Sequence, residues 1–236
     1  MEVRKTGRKE AREFIMEHHY TGTCGGAVMT WGLFNKYTDE LLGAIAFQTP
    51  ISENVRAYIF EDMDPSDGGV NECECDHFDE DHKYRQHVTE LQRLVTLDKT
   101  PKNTESWFIS RALSKLKDHK PKYWAVVSFA DTTEGHEGTI YKASNAYYYG
   151  KASARKFYRN DEGELLSPRQ GGVNITIPEA REKGWEIEER YTKHRYLFLL
   201  PDPYQAKEEL YEMVECDLYP YPPHDEPLEE IEPLNS

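Results

Sequence analysis

An aspartate and a histidine stand five residues apart in Ser128-Phe129-Ala130-Asp131 and Gly135-His136-Glu137-Gly138. The run before them, Tyr123-Trp124-Ala125-Val126-Val127, is apolar and rich in β-branched and aromatic types, so it reads as a buried strand running into Asp131. A carboxylate at a strand end beside a histidine in a glycine-flanked turn is the arrangement of a site, because ligands sit at strand ends in open α/β sheets. The plainer alternative has Asp131 capping the next turn and His136 on the surface. Arg93 lies in Glu90-Leu91-Gln92-Arg93-Leu94, between apolar neighbours on a second strand. A cation so placed needs a fixed anionic partner, since an unpaired buried charge is costly; Asp131 or a bound phosphate would serve, and so would a purely structural ion pair. His18-His19-Tyr20 brings imidazoles and a phenol to the end of a first helix, where a cationic histidine is also favoured by the helix dipole.

Two further groups carry possible chemistry. Cys73-x-Cys75-x-His77, with His82 nearby, holds the thiolates and imidazoles of a tetrahedral zinc site, although the acids between them suit a harder ion and an acidic loop with incidental cysteines is the competing reading. Lys142, Asn145, Tyr148 and Lys151 belong to an aromatic and basic cluster with Tyr147 and Tyr149. Aromatic faces stack on exposed bases while lysines meet phosphates, which makes this cluster a candidate DNA-binding face. Three consecutive tyrosines cannot share one side of a helix, so at least one belongs to the core.

The elements that must position these residues follow from periodicity. Residues 7–19 place Ala11, Phe14, Ile15 and His18 at helical spacing, and Gly22 to Gly26 break the helix. Val28–Phe34 and Leu41–Phe47 flank a polar turn and predict a β-hairpin. A strand is expected over 88–97, a helix over 105–116, a strand over 123–129, a helix over 138–148 and a closing strand over 196–200. The fold class is mixed α/β, a central mixed sheet flanked by helices. Residues 1–200 form the catalytic domain, interrupted by an acidic insertion at 52–87, and 201–236 form an acidic, proline-rich tail expected to be extended or disordered.

The net charge of −14 argues against a polyanionic partner until its distribution is considered. Residues 60–81 and 201–236 each carry a net −10, which leaves +6 for the rest. A basic body with acidic appendages can bind nucleic acid. No apolar run approaches the roughly 20 residues that span a bilayer, and four cysteines without a secretion signal read as reduced thiols or metal ligands. The expectation is a cytoplasmic protein without a membrane partner, able to form a homodimer.

The order helix, hairpin, strand, helix, strand, helix, strand is that of a Gcn5-related N-acetyltransferase (GNAT) domain. More specifically, the chain resembles the phage Mom family of DNA-modification proteins. The resemblance rests on His18-His19-Tyr20, Leu42-Gly43-Ala44-Ile45-Ala46-Phe47, Glu90-Leu91-Gln92-Arg93-Leu94, Asn103–Arg111 and Ser128–Asp131 with Gly135–Ala143. It implies a GNAT-like fold and modification of the N6 amine of adenine to a carbamoylmethyl-type adduct that protects phage DNA from host restriction, in the cytoplasm of the infected bacterium. It also implies double-stranded DNA as partner, with acetyl-CoA or iron(II) as the proposed cofactors. That amine is a poor nucleophile because its lone pair is delocalised into the ring, and it is tied up in base pairing, so flipping of the adenine is expected. Matched to the family pattern, His19, Tyr20 and Asp131 are the metal or catalytic candidates, an imidazole and two hard oxygen donors that suit iron; Arg93, Ser106 and His136 complete the catalytic set. Ordinary acetyltransferases hold the cofactor pyrophosphate on a glycine-rich turn and a helix N-terminus. Here the corresponding residues are Asn103, Thr104 and Ser106, with no glycine from Lys99 to Ser106, and side-chain capping competes with ligand contact at Ser106. Two other functions compete: a GNAT acyltransferase with a protein or small-molecule acceptor, and a non-catalytic nucleic-acid-binding or DNA-mimicking protein.

Overall fold

A seven-stranded sheet dominates the chain. The computed structural model describes all residues except 51–54, 56–58, 61–86, 167–168, 171–172, 191–192, 202–206, 222–230 and 236. The residues fall into two compact units, Met1–Phe129 with Gly138–Gly150 and Arg195–Ser236, and Ala130–Glu137 with Lys151–His194. The first elements are β1 (Glu2–Lys5), α1 (Arg8–His18), β2 (Met29–Phe34), β3 (Leu41–Gln48), β4 (Val88–Thr96), α2 (Thr104–His119) and β5 (Ala125–Asp131). After a short 3-10 turn at Thr132–Glu134 come α3 (Thr139–Lys142), β6 (Tyr147–Lys151), β7 (Arg155–Arg159), β8 (Leu165–Leu166), β9 (Arg169–Gln170) and β10 (Val173–Asn174). The chain closes with α4 (Ile177–Glu182), β11 (Glu186–Arg190), β12 (Lys193–Leu199) and α5 (Lys207–Glu212). The large sheet has the order β1-β2-β3-β4-β5-β12-β6. Strands β1 to β4 pair antiparallel, and β4 and β5 pair in parallel.

The hairpin, β4, α2 and β5 stand where the sequence pattern puts them, with ends moved by a few residues. Side-chain alternation sends neighbouring residues of β3 to opposite faces. Ala44 and Ala46 join Ala11 and Ile15 of α1 and Cys24 in one apolar cluster. On β2 and β3 the rings of Trp31 and Phe47 meet edge to face at 5.5 Å, and His119 at the end of α2 reaches Trp31 at 6.4 Å. Helix α2 buries Phe108, Ile109, Ala112, Leu113 and Leu116, a stripe at three-to-four-residue spacing. The smaller unit holds the three-stranded sheet β11-β7-β8 and the pair β10-β9. Its helix α4 starts with a full capping box, Thr176 and Glu179 satisfying each other's backbone N–H.

Three expectations are corrected. The helix over 138–148 is only α3, Thr139–Lys142; Asn145 turns the chain at φ 60° and Tyr147–Lys151 form a strand, as aromatic residues favour. The residues before the first expected helix, to which the periodicity assigns no element, form edge strand β1 on β2. The described part of the tail is packed: Leu210, Val214, Cys216 and Leu218 join Val88, Ala125, Val127, Tyr149, Leu197 and Leu199 in a core cluster. Asn235 locks it by donating to the carbonyls of Val214 and Cys216 and accepting the Leu218 N–H. The acidic insertion, with Cys73, Cys75, His77 and His82 of the expected zinc site, lies outside the described residues apart from Val55, Ile59, Phe60 and His87.

This packing makes stability pH-dependent. Burial pushes the Cys216 thiol up to about 12 from a reference of 9.0, and burial pushes the Tyr148 phenol up to about 12 from 10.0. A raised folded-state value means full stability below the unfolded-state value and loss as pH rises towards the folded one. The melting temperature is expected to hold to about pH 8.5 and to fall between pH 9 and 12, with a shallower fall in Cys216→Ala. Melts of the two proteins across that range check this.

Candidate functional site at the fork of the parallel strands

The parallel ladder between β4 and β5 covers Val88↔Ala125, Thr89↔Val126, Glu90↔Val127 and Leu91↔Ser128, and stops there. Beyond Leu91, β4 continues to Thr96 on β3 alone. The two parallel strands therefore part at Leu91 and Ser128. The β3–β4 register slips at the same level, from Ala46↔Arg93 to Phe47↔Leu91, so Gln92 is the extra residue of a bulge. Bulges re-aim side chains and are common beside active sites.

Loop 19–27 packs onto this bulge. The Cys24 thiol lies 3.7 Å from Gln92 Oε1, to which it donates. A Cβ on Gly25 would stand 2.3 Å from Gln92 Nε2, so a larger residue here would displace the end of the Gln92 side chain. Arg93 donates from Nε to the Thr23 carbonyl at 3.0 Å, from Nη1 to the Gln92 carbonyl at 2.7 Å, and from Nη2 to Thr23 Oγ1 at 3.5 Å. The expected carboxylate partner is thus replaced by carbonyls: among the described residues Arg93 forms no ion pair, and its half-exposed position makes that affordable. Burial raises the Cys24 thiol, and the charges of Arg93 and Arg12 oppose the rise.

Tyr141 of α3 closes the fork. Its side chain is buried, with a hydroxyl hydrogen-bonded to Ser128. Ser128 Oγ also donates to the Leu91 carbonyl at 3.2 Å, which ties the phenol to the end of the parallel ladder. Burial raises the phenol above its usual value; the Ser128 hydrogen bond lowers it, Tyr20 raises it, Arg93 lowers it and Glu90 raises it. Tyr20, Glu90, Arg93, Ser128 and Tyr141 therefore form one electrostatically connected group. The arrangement can hold a neutral proton donor beside a cation at a point where the sheet opens.

His19 and Tyr20 stand at the edge of this group. The His19 N–H caps α1 by donating to the Ile15 carbonyl at 2.8 Å. Its Nδ1 lies 3.2 Å from the Thr21 N–H and 2.9 Å from Thr21 Oγ1. The N–H can only donate, so Nδ1 is the acceptor and Nε2 carries the proton. The two rings stack at 4.4 Å, and Tyr20 is 54% exposed.

A model of the Mom protein family matches residues 1–223. The chain belongs to the Mom protein family. A relative, the methylcarbamoylase mom of Escherichia phage Mu, is 30% identical over 116 residues, 47% of this chain and 47% of the relative, so the match spans about half of that protein's length. Among solved structures, a GNAT-family acetyltransferase from Bacillus anthracis aligns with a TM-score of 0.41 at 13% identity, covering 84% of this chain and 93% of that one. A spermidine N-acetyltransferase from Vibrio cholerae, in complex with CoA and spermine, aligns with a TM-score of 0.42 at 9% identity, covering 84% and 94%.

The other site residues of this Mom-family chain are distributed as follows. Asp131 and His136 belong to the smaller unit, where the His136 N–H donates to the Asp131 carbonyl at 3.1 Å and closes the turn around Gly135. His194 of that unit is held below the usual histidine range by burial first and by Lys151, against the opposing charge of Glu137. Of the iron site that the family resemblance implied, His19 Nδ1 is taken up by Thr21 and Asp131 belongs to the smaller unit, and among the described residues no group of three or more His, Cys, Asp or Glu gathers around a point. Of the DNA-binding candidates, Lys142 and Asn145 are exposed and Lys151 lies in the smaller unit. Tyr148 is only 1% exposed, packed on Tyr196 at 5.6 Å and Tyr219 at 6.4 Å. Its ring offers no surface for a base.

Asn103 and Ser106 line a cavity of about 390 Å³ with Thr96, Lys102, Glu105 and Thr139, at the start of α2. The glycine missing from the sequence is replaced by Asn103, which takes the left-handed conformation at φ 66°, as asparagine does more readily than most residues. Asn103 makes no side-chain cap, and Thr104 and Ser106 donate to the carbonyls of Pro101 and Asn103, so these hydroxyls do not cap N–H groups. Thr104 is buried outside the cavity wall. A helix start with Lys102 suits the phosphates of a CoA-type donor, although Asp98 and Glu105 stand on the same wall. Asn103→Val is expected to lose about 1–2 kcal/mol of stability and Asn103→Gly almost none, because only the β-branched residue resists a positive φ; urea unfolding of both variants checks this.

Cys24, Gln92, Ser128 and Tyr141 were not among the candidates read from the sequence. Cys24 beside Gly25-Gly26 was the available signal; the bulge that aims Gln92 depends on pairing between strands and leaves none.

Proposed function

We propose that this protein is a DNA-modifying transferase that converts the N6 amine of adenine in phage DNA to a carbamoylmethyl-type adduct and so shields that DNA from restriction. Membership of the Mom family over residues 1–223 is the observation that carries the reading, and the name of the phage Mu relative, a methylcarbamoylase, supports the group transferred. The fork supplies chemistry suited to it. Tyr141, kept neutral by burial, can give a proton to a departing group. Arg93 offers a cation to developing negative charge, and Nε2–H of His19 is a donor at the rim. Acetyl-CoA is the proposed cofactor, with Lys102, Asn103 and Ser106 at its phosphates; an acetyl group lacks the amide nitrogen of the adduct, so a nitrogen donor must act with it. The partner is double-stranded DNA with the target adenine flipped out.

The test is mass spectrometry of nucleosides from the DNA of cells expressing the chain, beside cells expressing His19→Ala or Asp131→Ala. A heavier deoxyadenosine that needs the unsubstituted protein is expected, and its mass identifies the group. Unmodified deoxyadenosine from cells with abundant, folded protein would sink the reading and favour an acyltransferase with another acceptor.

A further inference from the structure

A second cleft, of about 870 Å³, runs between the N-terminal half of α1 and the loop before β2. Arg8, Lys9, Arg12, Glu13 and Met16 line one side, and Cys24, Gly25, Gly26 and Ala27 the other. The three cations are exposed. Lys9 reaches Glu13 at 3.9 Å, whereas Arg8 and Arg12 form no ion pair among the described residues. Arg8 and Arg12 are one helical turn apart, so their stems lie roughly 6 Å from each other on the same face. Opposite them, the N–H groups of Gly25 and Gly26 make no hydrogen bond among the described residues, and a side chain added at Gly26 would meet open space. Arg12 is close enough for its charge to act on Cys24.

We propose that this cleft grips the phosphodiester backbone of the DNA substrate, with Arg8 and Arg12 on phosphates, Lys9 at the rim and the amides of Gly25 and Gly26 as further donors. The inference rests on the DNA-modifying reading and adds the surface that holds the polymer. Exposure decides between a polymer and a small anion. Each solvent-screened cation contributes little to a single small ligand, whereas a polyanion with a phosphate every ~3.4 Å along each strand collects them together and releases counterions. Through Cys24 and Gly25 the cleft shares its loop with Gln92 and Arg93 of the fork, so a strand held here lies along the loop that frames the reacting group.

The experiment is a fluorescence-anisotropy titration of a short labelled duplex with the full chain, its Arg8→Gln/Arg12→Gln variant and a Lys36→Gln control, across about 0.05–0.3 M salt. Loss of two phosphate contacts lowers the magnitude of the log–log salt slope by about 1.8, which is roughly 60-fold weaker binding near 0.1 M salt if affinity at 1 M is unchanged. The control is expected to match the unsubstituted protein. Equal slopes for all three proteins, with DNA still bound, would overturn the cleft and leave the functional reading standing. No duplex binding by the unsubstituted protein at any salt would overturn both. Free CoA displacing the duplex, and losing its own binding in the double variant, would assign the cleft to a small phosphate ligand and overturn the proposal. Both arginines are exposed on a helix that glutamine sustains, and circular dichroism of the variant verifies its fold.

Discussion

Tyr141→Phe is expected to yield a folded protein whose formation of modified deoxyadenosine is about 100-fold slower. The low end of what a positioned proton donor contributes is a factor of 10², and this substitution removes the proton while keeping the ring. The ring is what the fold needs: it packs on Tyr196 at 5.1 Å and on Phe198 at 6.2 Å. Ser128 Oγ keeps its bond to the Leu91 carbonyl, so the lost hydrogen bond costs about 1 kcal/mol. A pH profile separates the chemical role from a structural one. Burial raises the Tyr141 phenol above the usual tyrosine value, so the donor stays protonated through neutral and mildly alkaline solution. Activity of the unsubstituted protein is therefore expected to decline only on the alkaline side of pH ~10, with that limb absent from the residual activity of Tyr141→Phe. Unchanged rates in the variant would remove Tyr141 from the reaction and leave Arg93 and His19 as the groups to test.

The scaffold around this tyrosine was legible wherever a pattern is local. Val28–Phe34 and Leu41–Phe47 are apolar runs around a polar turn, and α2 shows its stripe from Phe108 to Leu116. Legibility failed where tertiary packing or pairing decides. Tyr147-Tyr148-Tyr149 follow a helical turn and were read into it, but burial of Tyr148 and Tyr149 in the sheet outweighs continuation of a short helix past Asn145. In β1 only Val3 is buried among charged neighbours, the pattern of a strand at a sheet edge, which looks like a solvated segment. The acids and prolines of the tail mask Leu210, Val214, Cys216 and Leu218, whose spacing matters only against the sheet they cover. The site divides in the same way. The family pattern pointed to His19 and Tyr20, and Arg93 stood out as a cation between apolar neighbours, whereas Gln92, Ser128 and Tyr141 acquire a role only from a bulge and from the parting of two strands distant in sequence. Carbonyls take the place of the carboxylate expected for Arg93 for a related reason: a strand pattern cannot reveal that loop 21–26 returns to offer the Thr23 carbonyl.

Gly138→Ala is expected to have the largest effect on stability, a loss of about 3–4 kcal/mol. Two costs combine at this residue. Gly138 starts α3 at φ 75°, a conformation that costs an L-residue about 1–2 kcal/mol. A Cβ there would also stand 2.3 Å from two ring carbons of Tyr196 and 2.6 Å from its hydroxyl oxygen. Forcing extra volume into a packed site costs about 1–3 kcal/mol. The Tyr196 ring has little room to retreat, since it is 1% exposed and wedged between Tyr141 at 5.1 Å and Tyr148 at 5.6 Å. The same wedge carries the strain to the fork, because any shift of Tyr196 moves the ring whose hydroxyl meets Ser128. Urea unfolding of Gly138→Ala, Tyr196→Val and the double variant separates the two costs. Tyr196→Val removes the ring that the new methyl would strike, so the coupling between the substitutions is expected to be about 1–3 kcal/mol, with the backbone cost left over in the double variant. A single-variant loss below about 1 kcal/mol would mean that neither the left-handed turn nor the close approach of Tyr196 constrains this glycine.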